Sequence, residues 1–245
     1  MTSLQWLKKS GLAALAVVAF ALPVRAETSL TLYTEDYWPF NFQEGDKITG
    51  SAVEVVELLM EKAAVPYTLE LVPWRRAYNA AQNELNACVF STNVTEERLP
   101  LFSWVEPVIY DEWVLFAMAD RNIAVDSIDA VKAAGFTVGG YKGDALSAAL
   151  QAEGVTVDDA PTDDANPKKL AAGRIDLWAT SRPQGPNLSK QQGVEGVVAV
   201  HTFHRNPMGL ACHKDTDPAV IEKLSTTLAA MRDDGTVAEI ESKYD

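Results

Sequence analysis

The chain is poor in the residues that most catalytic and metal chemistry draws on. Its 245 residues hold two cysteines and three histidines. A zinc centre would need His201, His204, His213 and Cys212, but strand alternation points His201 away from His204 and Cys212 away from His213. The G-x-S-x-G elbow of a serine hydrolase is missing. The acidic run containing Asp158, Asp159, Asp163 and Asp164 lacks the glycine and spacing of a calcium loop, so it reads as a solvated turn. No metal and no cofactor are expected. Positive charge is scarce too: 21 Lys and Arg face 34 Asp and Glu, for a formal charge of −13. That balance repels phosphate backbones and anionic lipid, which argues against nucleic-acid and membrane-surface partners. It says little about a small ligand, because local charge decides that. Internal repeats and low-complexity segments are absent as well.

Apolar runs of membrane-spanning length are also lacking. The longest, residues 12–22, is too short to cross a bilayer comfortably. Lys8 and Lys9 precede it, and Val24-Arg25-Ala26 offers small residues for cleavage before Glu27. This is the plan of a secretory signal peptide over residues 1–26. No cysteine follows the run, which argues against a lipid anchor. Losing Lys8, Lys9 and Arg25 moves the formal charge to −16 and leaves a soluble chain in a periplasm-like compartment. What remains is long enough for one large domain or two lobes of about 100 residues. Cys88 and Cys212 sit in strand-like stretches, and in an oxidising compartment both free thiols and a disulfide are open.

Along the chain, residues 30–33 alternate as a strand and run into the aromatic loop Tyr37-Trp38-Pro39-Phe40. Apolar positions 52, 55, 56, 59, 60 and 63 form a helix stripe. A strand over 67–72, a helix over 74–85 behind Pro73 and a buried strand over 87–90 complete one α/β unit. A second unit follows. It has a helix capped by Ser127, a strand from Phe136, a helix closed by Gly154, a loop over 158–167, a strand over 175–180 and a strand over 197–203. An amphipathic helix over 217–232 and a short one from Thr236 end the chain. The second unit interrupts the first, which requires two crossings, near 110–116 and 206–212. The expected division is 27–110 with 208–245 as lobe 1 and 111–207 as lobe 2, a hinged clamshell closing on ligand in the cleft.

Residues 91–103, S-T-N-V-T-E-E-R-L-P-L-F-S, place Arg98 within a turn of a strand end, with Thr95 read as capping a helix. A guanidinium there can hold a carboxylate bidentately; a surface pair with Glu96 or Glu97 is the plain alternative. The T-E-E-R…F-S word resembles the carboxylate clamp of the extracytoplasmic solute-binding proteins of the polar amino acid family. Four further words follow the family's order: Thr34-Glu35-Asp36-Tyr37-Trp38-Pro39-Phe40 with Thr49-Gly50, Gly173-Arg174-Ile175-Asp176-Leu177, Gly209-Leu210-Ala211-Cys212-His213-Lys214, and Asp234-Gly235-Thr236-Val237-Ala238-Glu239-Ile240.

The resemblance implies a two-lobed α/β type II periplasmic binding fold, with Cys88 and Cys212 on adjacent strands. It implies that Arg98 grips a carboxylate, that Ser91 and Asn93 complete its coordination, and that Tyr37 covers one ligand face. Trp38 and Trp74 would extend that wall, with cation–π attraction for an ammonium. Across the cleft, Lys142, Gly143, Asp144 and Ala145 form a helix start favourable to anions, where Asp144 either caps the helix or points inward. Thr180 and Ser181 would close from the second lobe. Family members commonly have Asp where Ser181 stands, so the ligand's ammonium lacks its usual partner here.

The expected function is periplasmic, non-catalytic capture of a small carboxylate-bearing solute by a monomer, which delivers it to an ABC-transporter permease. Enzymes of this architecture include a dehydratase, for which Glu35, Glu106 or Asp144 would need a pKa raised by burial. A ligand sensor is the third class.

Overall fold

The structure, a computed structural model, describes residues 28–244, so the leader expected over 1–26 lies outside the described residues. Among the described residues no helix is long and apolar enough to cross a membrane.

The first half starts with β1 (Leu30–Thr34) and a small hairpin of β2 (Phe42–Glu44) and β3 (Lys47–Thr49), followed by α1 (Ser51–Lys62). It continues through β4 (Tyr67–Leu71), α2 (Trp74–Asn83) and β5 (Ala87–Asn93). The strand β6 (Phe102–Met118) leads to α3 (Ile128–Ala134), β7 (Thr137–Tyr141), α4 (Ala145–Ala152), β8 (Thr156–Ala160), α5 (Asn166–Ala171), β9 (Leu177–Ser181) and α6 (Gln184–Gln191). The chain returns along β10 (Val197–His213) to α7 (Pro218–Asp233) and α8 (Thr236–Glu241). Eight strands form one sheet in the order β4-β1-β5-β10-β6-β9-β7-β8. β1 is parallel to β4 and β5, and β7 is parallel to β8 and β9.

Each half buries apolar side chains on both faces of its part of the sheet, as strand alternation requires. In the first, Leu32, Cys88, Phe90 and Leu210 pack with the α1 and α7 residues Leu59 and Leu228, while Tyr33, Val89 and Ala211 pack with Ala77 and Ala81 of α2. In the second, Val138, Leu177 and Ala179 pack with Leu146 and Leu150 of α4, while Trp178 packs with Leu170 and Leu188 of α5 and α6. The glycine pair in β7 permits close approach: a Cβ at Gly140 would lie 2.1 Å from Ser147 Oγ, and one at Gly139 2.3 Å from Ile175 Cδ1.

The crossing strands expected near 110–116 and 206–212 are parts of two strands of 17 residues each, β6 and β10, which pair antiparallel from Phe102↔His213 to Val197↔Met118. The Asn206-Pro207 pair conceals this continuity in the sequence. Pro207 donates no N–H, but it stays in register with Tyr110 and its carbonyl accepts from Val94 N at 3.0 Å. Cys88 and Cys212, directly opposite one another on β5 and β10, are joined by a disulfide.

Two expectations are corrected. No α-helix opens at Thr95: Arg98 N and Leu99 N both donate to Thr95 O at 2.9 Å, and a single 3-10 turn, Leu99–Leu101, follows. Pro100 has no N–H with which to continue an α-helix. The acidic run is not wholly a loop either, because Asp158 and Asp159 lie in the edge strand β8. Charge is tolerated on an edge, and Lys169 pairs with Asp158 at 3.0 Å.

Candidate functional site

The two halves enclose a cavity of ≈480 Å³ at the carboxyl ends of β1, β5, β7 and β9, where an α/β fold leaves free loops and helix starts. The loop after β1 contributes Glu35, Asp36 and Tyr37, the start of α2 contributes Trp74, and the end of β5 contributes Ser91 and Asn93, with Arg98 in the turn beyond. The facing wall holds Tyr141 from β7, Asp144 before α4, Asp163 before α5 and Gln184 from α6.

Arg98 is only 8% exposed. Its guanidinium carbon lies 5.3 Å from the Trp74 ring centroid and 5.2 Å from that of Tyr78. Nη1 donates to Asn93 O at 3.4 Å and Nη2 to Gly143 O at 3.3 Å, both long bonds. The ion pairs among the described residues do not include Arg98, so Glu96 and Glu97 leave it unpaired. A buried guanidinium with weak neutral partners is suited to an incoming anion. Trp74 Nε1 also donates to Gly143 O, at 3.1 Å, and Tyr141 Oη to Glu35 Oε2, at 3.4 Å, so the site side chains bridge the two halves.

Asn41 secures the near wall. It is fully buried, accepts from the Ser91 hydroxyl and donates from Nδ2 to Glu35 O at 2.5 Å. Ser91 itself has φ +54°, a strained conformation for a residue with a Cβ, as found where a backbone is shaped around a ligand.

The lining is acidic: Glu35, Asp36, Asp144, Asp163 and Asp164 face one guanidinium. Burial raises Glu35 well above the usual carboxylate range, and the charge of Asp144 adds to this. Burial also raises Asp144, opposed first by the Arg98 charge and then by the α4 amides, which face the carboxylate without forming a capping bond. Asp163 is pushed up to about 6 by burial, despite accepting from Trp178 Nε1 (2.8 Å), Asn166 Nδ2 (2.9 Å) and Thr180 Oγ1 (2.7 Å). Behind Tyr37, Asp111 is 1% exposed and burial pushes it to about 8, although it accepts from Tyr37 Oη at 2.8 Å.

These shifts predict an acid-stabilised free protein. The folded values of Asp111 and Asp163 lie above the ordinary aspartate value of about 3.9, so folding takes up protons that the unfolded chain does not hold. The stabilisation this gives is complete below the unfolded value and is lost as pH rises, through about 6 for Asp163 and about 8 for Asp111. Ligand-free protein should therefore have a higher Tm at pH 5.5 than at pH 8.5, and Asp111→Asn should flatten the upper part of that slope. A Tm that falls steadily on acidification through this window would contradict it.

The family model for bacterial extracellular solute-binding proteins, family 3, matches residues 30–244. The chain belongs to this family. It is 24% identical over 217 residues to the probable amino-acid-binding protein YxeM of Bacillus subtilis, covering 86% of this chain and 81% of that protein. A probable amino-acid ABC transporter-binding protein of Haemophilus influenzae is 24% identical over 213 residues, covering 85% and 80%. Among solved structures, an ancestral arginine-binding protein bound to arginine superposes with a TM-score of 0.75 at 23% identity, over 88% of this chain and 97% of that one. The fold is that of the type II periplasmic binding proteins.

In this solute-binding protein, Tyr37, Trp74, Ser91, Asn93, Arg98 and Asp144 line the cavity together. Trp38 does not. Tyr37 N donates to Asn41 O and Asn41 N to Tyr37 O, a tight turn that leaves the Trp38 ring 36% exposed at its tip. Lys142 is likewise exposed in the turn after β7, and Gly143 contributes its carbonyl. Ala145 is buried at the start of α4, outside the lining. Thr180 and Ser181 stand one layer behind: Thr180 holds Asp163, and fully buried Ser181 accepts from Gln184 N at 3.3 Å. Glu106 is exposed and remote from the lining.

Sequence reasoning missed Asn41, Asp111, Tyr141, Asp163 and Gln184. A signal existed for Asp111: Ile109 and Trp113 alternate with it, a period of two that puts the carboxylate on a buried face. Asp163 had little, because two of its three partners, Trp178 and Thr180, are distant in sequence and meet it only once β9 is placed.

Proposed function

We propose that the chain captures an amino-acid-like solute in the periplasm and presents it to the permease of an ABC importer. The observation that carries this is Arg98, buried in a cavity and lacking a carboxylate partner among the described ion pairs. The Bacillus relative, a probable amino-acid-binding protein, and the Haemophilus relative, a probable amino-acid ABC transporter-binding protein, support an amino-acid ligand and an importer partner. Residues 27–110 with 208–245 act as one lobe and 111–207 as the other, hinged on β6 and β10. A solute carboxylate displaces Gly143 O from Arg98, with Ser91 and Asn93 beside it. Trp74 and Tyr37 cover the apolar portion. Asp144, within electrostatic reach of Arg98 and Tyr37, provides the ammonium with the negative charge that Ser181 lacks. Contacts made by both lobes to one solute favour the closed form.

A second reading rests on Glu35. A carboxyl whose pKa is raised by burial, in the same cavity as an anion-holding arginine, is suited to acid-catalysed elimination. A thermal-shift screen over amino acids, carboxylates and amines, with product analysis of every hit, tests both readings. Recovery of unchanged solute supports capture, consumption of the solute supports an enzyme, and no shift with any amino acid defeats the capture reading.

A further inference from the structure

We infer that the cavity selects solutes of net positive charge, holding a carboxylate on Arg98 and seating a side-chain guanidinium or ammonium on Glu35 and Asp163. This rests on the amino-acid-capture reading and narrows its substrate class. Two independent observations carry it. The first is a charge imbalance that an ordinary zwitterion does not cancel: five lining carboxyls face one guanidinium. The ion pairs among the described residues include neither Glu35 nor Asp163. Glu35 has one side-chain partner, Tyr141 Oη at 3.4 Å, and Asp163 Oδ2 accepts only from Thr180. The second is an excess of acceptors. Asn93 lines the cavity, is 5% exposed, and its Oδ1 has no hydrogen-bond partner. Such a wall needs donors, and a guanidinium supplies five N–H groups while an ammonium supplies three. Tyr37 and Tyr141 line the cavity from its two sides, and aromatic rings suit a cation.

The test uses two probes of nearly the same shape. L-citrulline carries a neutral urea where L-arginine carries its guanidinium, so the difference isolates charge. Calorimetry on the wild-type protein near pH 7.5 should show L-arginine binding at least about tenfold tighter than L-citrulline, since charge-assisted bonds are roughly twice as strong as neutral ones. Glu35→Gln and Asp163→Asn should each shrink that ratio. Asp163 also anchors Trp178, Thr180 and Asn166, so if Asp163→Asn does not fold, Glu35→Gln alone decides. Citrulline binding as tightly as arginine, or an unchanged ratio in Glu35→Gln, overturns this inference and leaves amino-acid capture standing. Absence of binding by both probes and by every standard amino acid overturns the two together.

Discussion

Arg98→Ala should weaken binding of the best amino-acid ligand by about 30-fold or more, because truncating one partner of a buried, hydrogen-bonded charge pair costs about 2–5 kcal/mol. The guanidinium lies against the rings of Trp74 and Tyr78 and is nearly dry, so the bond formed to a carboxylate is neither screened by water nor preceded by much side-chain ordering. Its long bonds to Asn93 O and Gly143 O contribute little to the fold, so the variant should stay folded, with a near-native circular dichroism spectrum. Arg98→Lys separates charge from shape: it keeps the positive charge but loses the planar fork, and should fall between wild type and Arg98→Ala. Titration calorimetry reads all three proteins. An unchanged Kd in Arg98→Ala would remove the arginine from the recognition mechanism and the amino-acid reading with it.

Removing the disulfide should lower stability by about 2–5 kcal/mol, the usual cost of losing a native bridge. Cys88 and Cys212 are 124 positions apart, and between them the chain leaves the first half along β6, builds the second half and returns along β10. The bridge therefore closes a long loop around the whole excursion, which restricts the unfolded chain more than a short loop would. Both sulfurs are fully buried, so reductant added to the native protein should act slowly. The double variant Cys88→Ala with Cys212→Ala gives the cleaner comparison, since alanine leaves no buried hydroxyl. Its Tm should drop by roughly 4–20 °C, taking about 2–4 °C per kcal/mol for a chain of this size. Equal melting curves for the variant and the oxidised wild type would show that the bridge contributes nothing.

What could be read in advance depended on the range of the interaction. Local patterns placed β1, α1, α2, α7 and the cap of α3. Ser127 Oγ accepts from Ala130 N at 3.2 Å and Asp217 Oδ1 from Ala219 N at 3.0 Å, bonds that close within one turn. The reading failed at three places where a single cue was outweighed by its surroundings. Thr95 looked like a helix cap until Pro100 limited the segment to a 3-10 turn. The acidic run looked solvated, but β7 recruited part of it as the edge strand β8, and the β9 side chains Trp178 and Thr180 hold Asp163. Trp38 looked like cleft wall because it follows Tyr37, but the turn closed by Asn41 leaves it exposed and outside the cavity lining.

By itself, the sequence determined a two-part α/β chain with one arginine at a strand end, because hydrophobic period and capping are properties of neighbouring residues. Only the tertiary structure decided what surrounds that arginine. The contact of Arg98 with Trp74 and Tyr78, the bond of Asn41 with Ser91, and the gathering of Glu35, Asp144 and Asp163 from three separate loops all involve residues from different elements of the chain. Charge in a cavity follows from which strand ends converge, and that convergence is set by the shared sheet through β6 and β10 rather than by any local pattern.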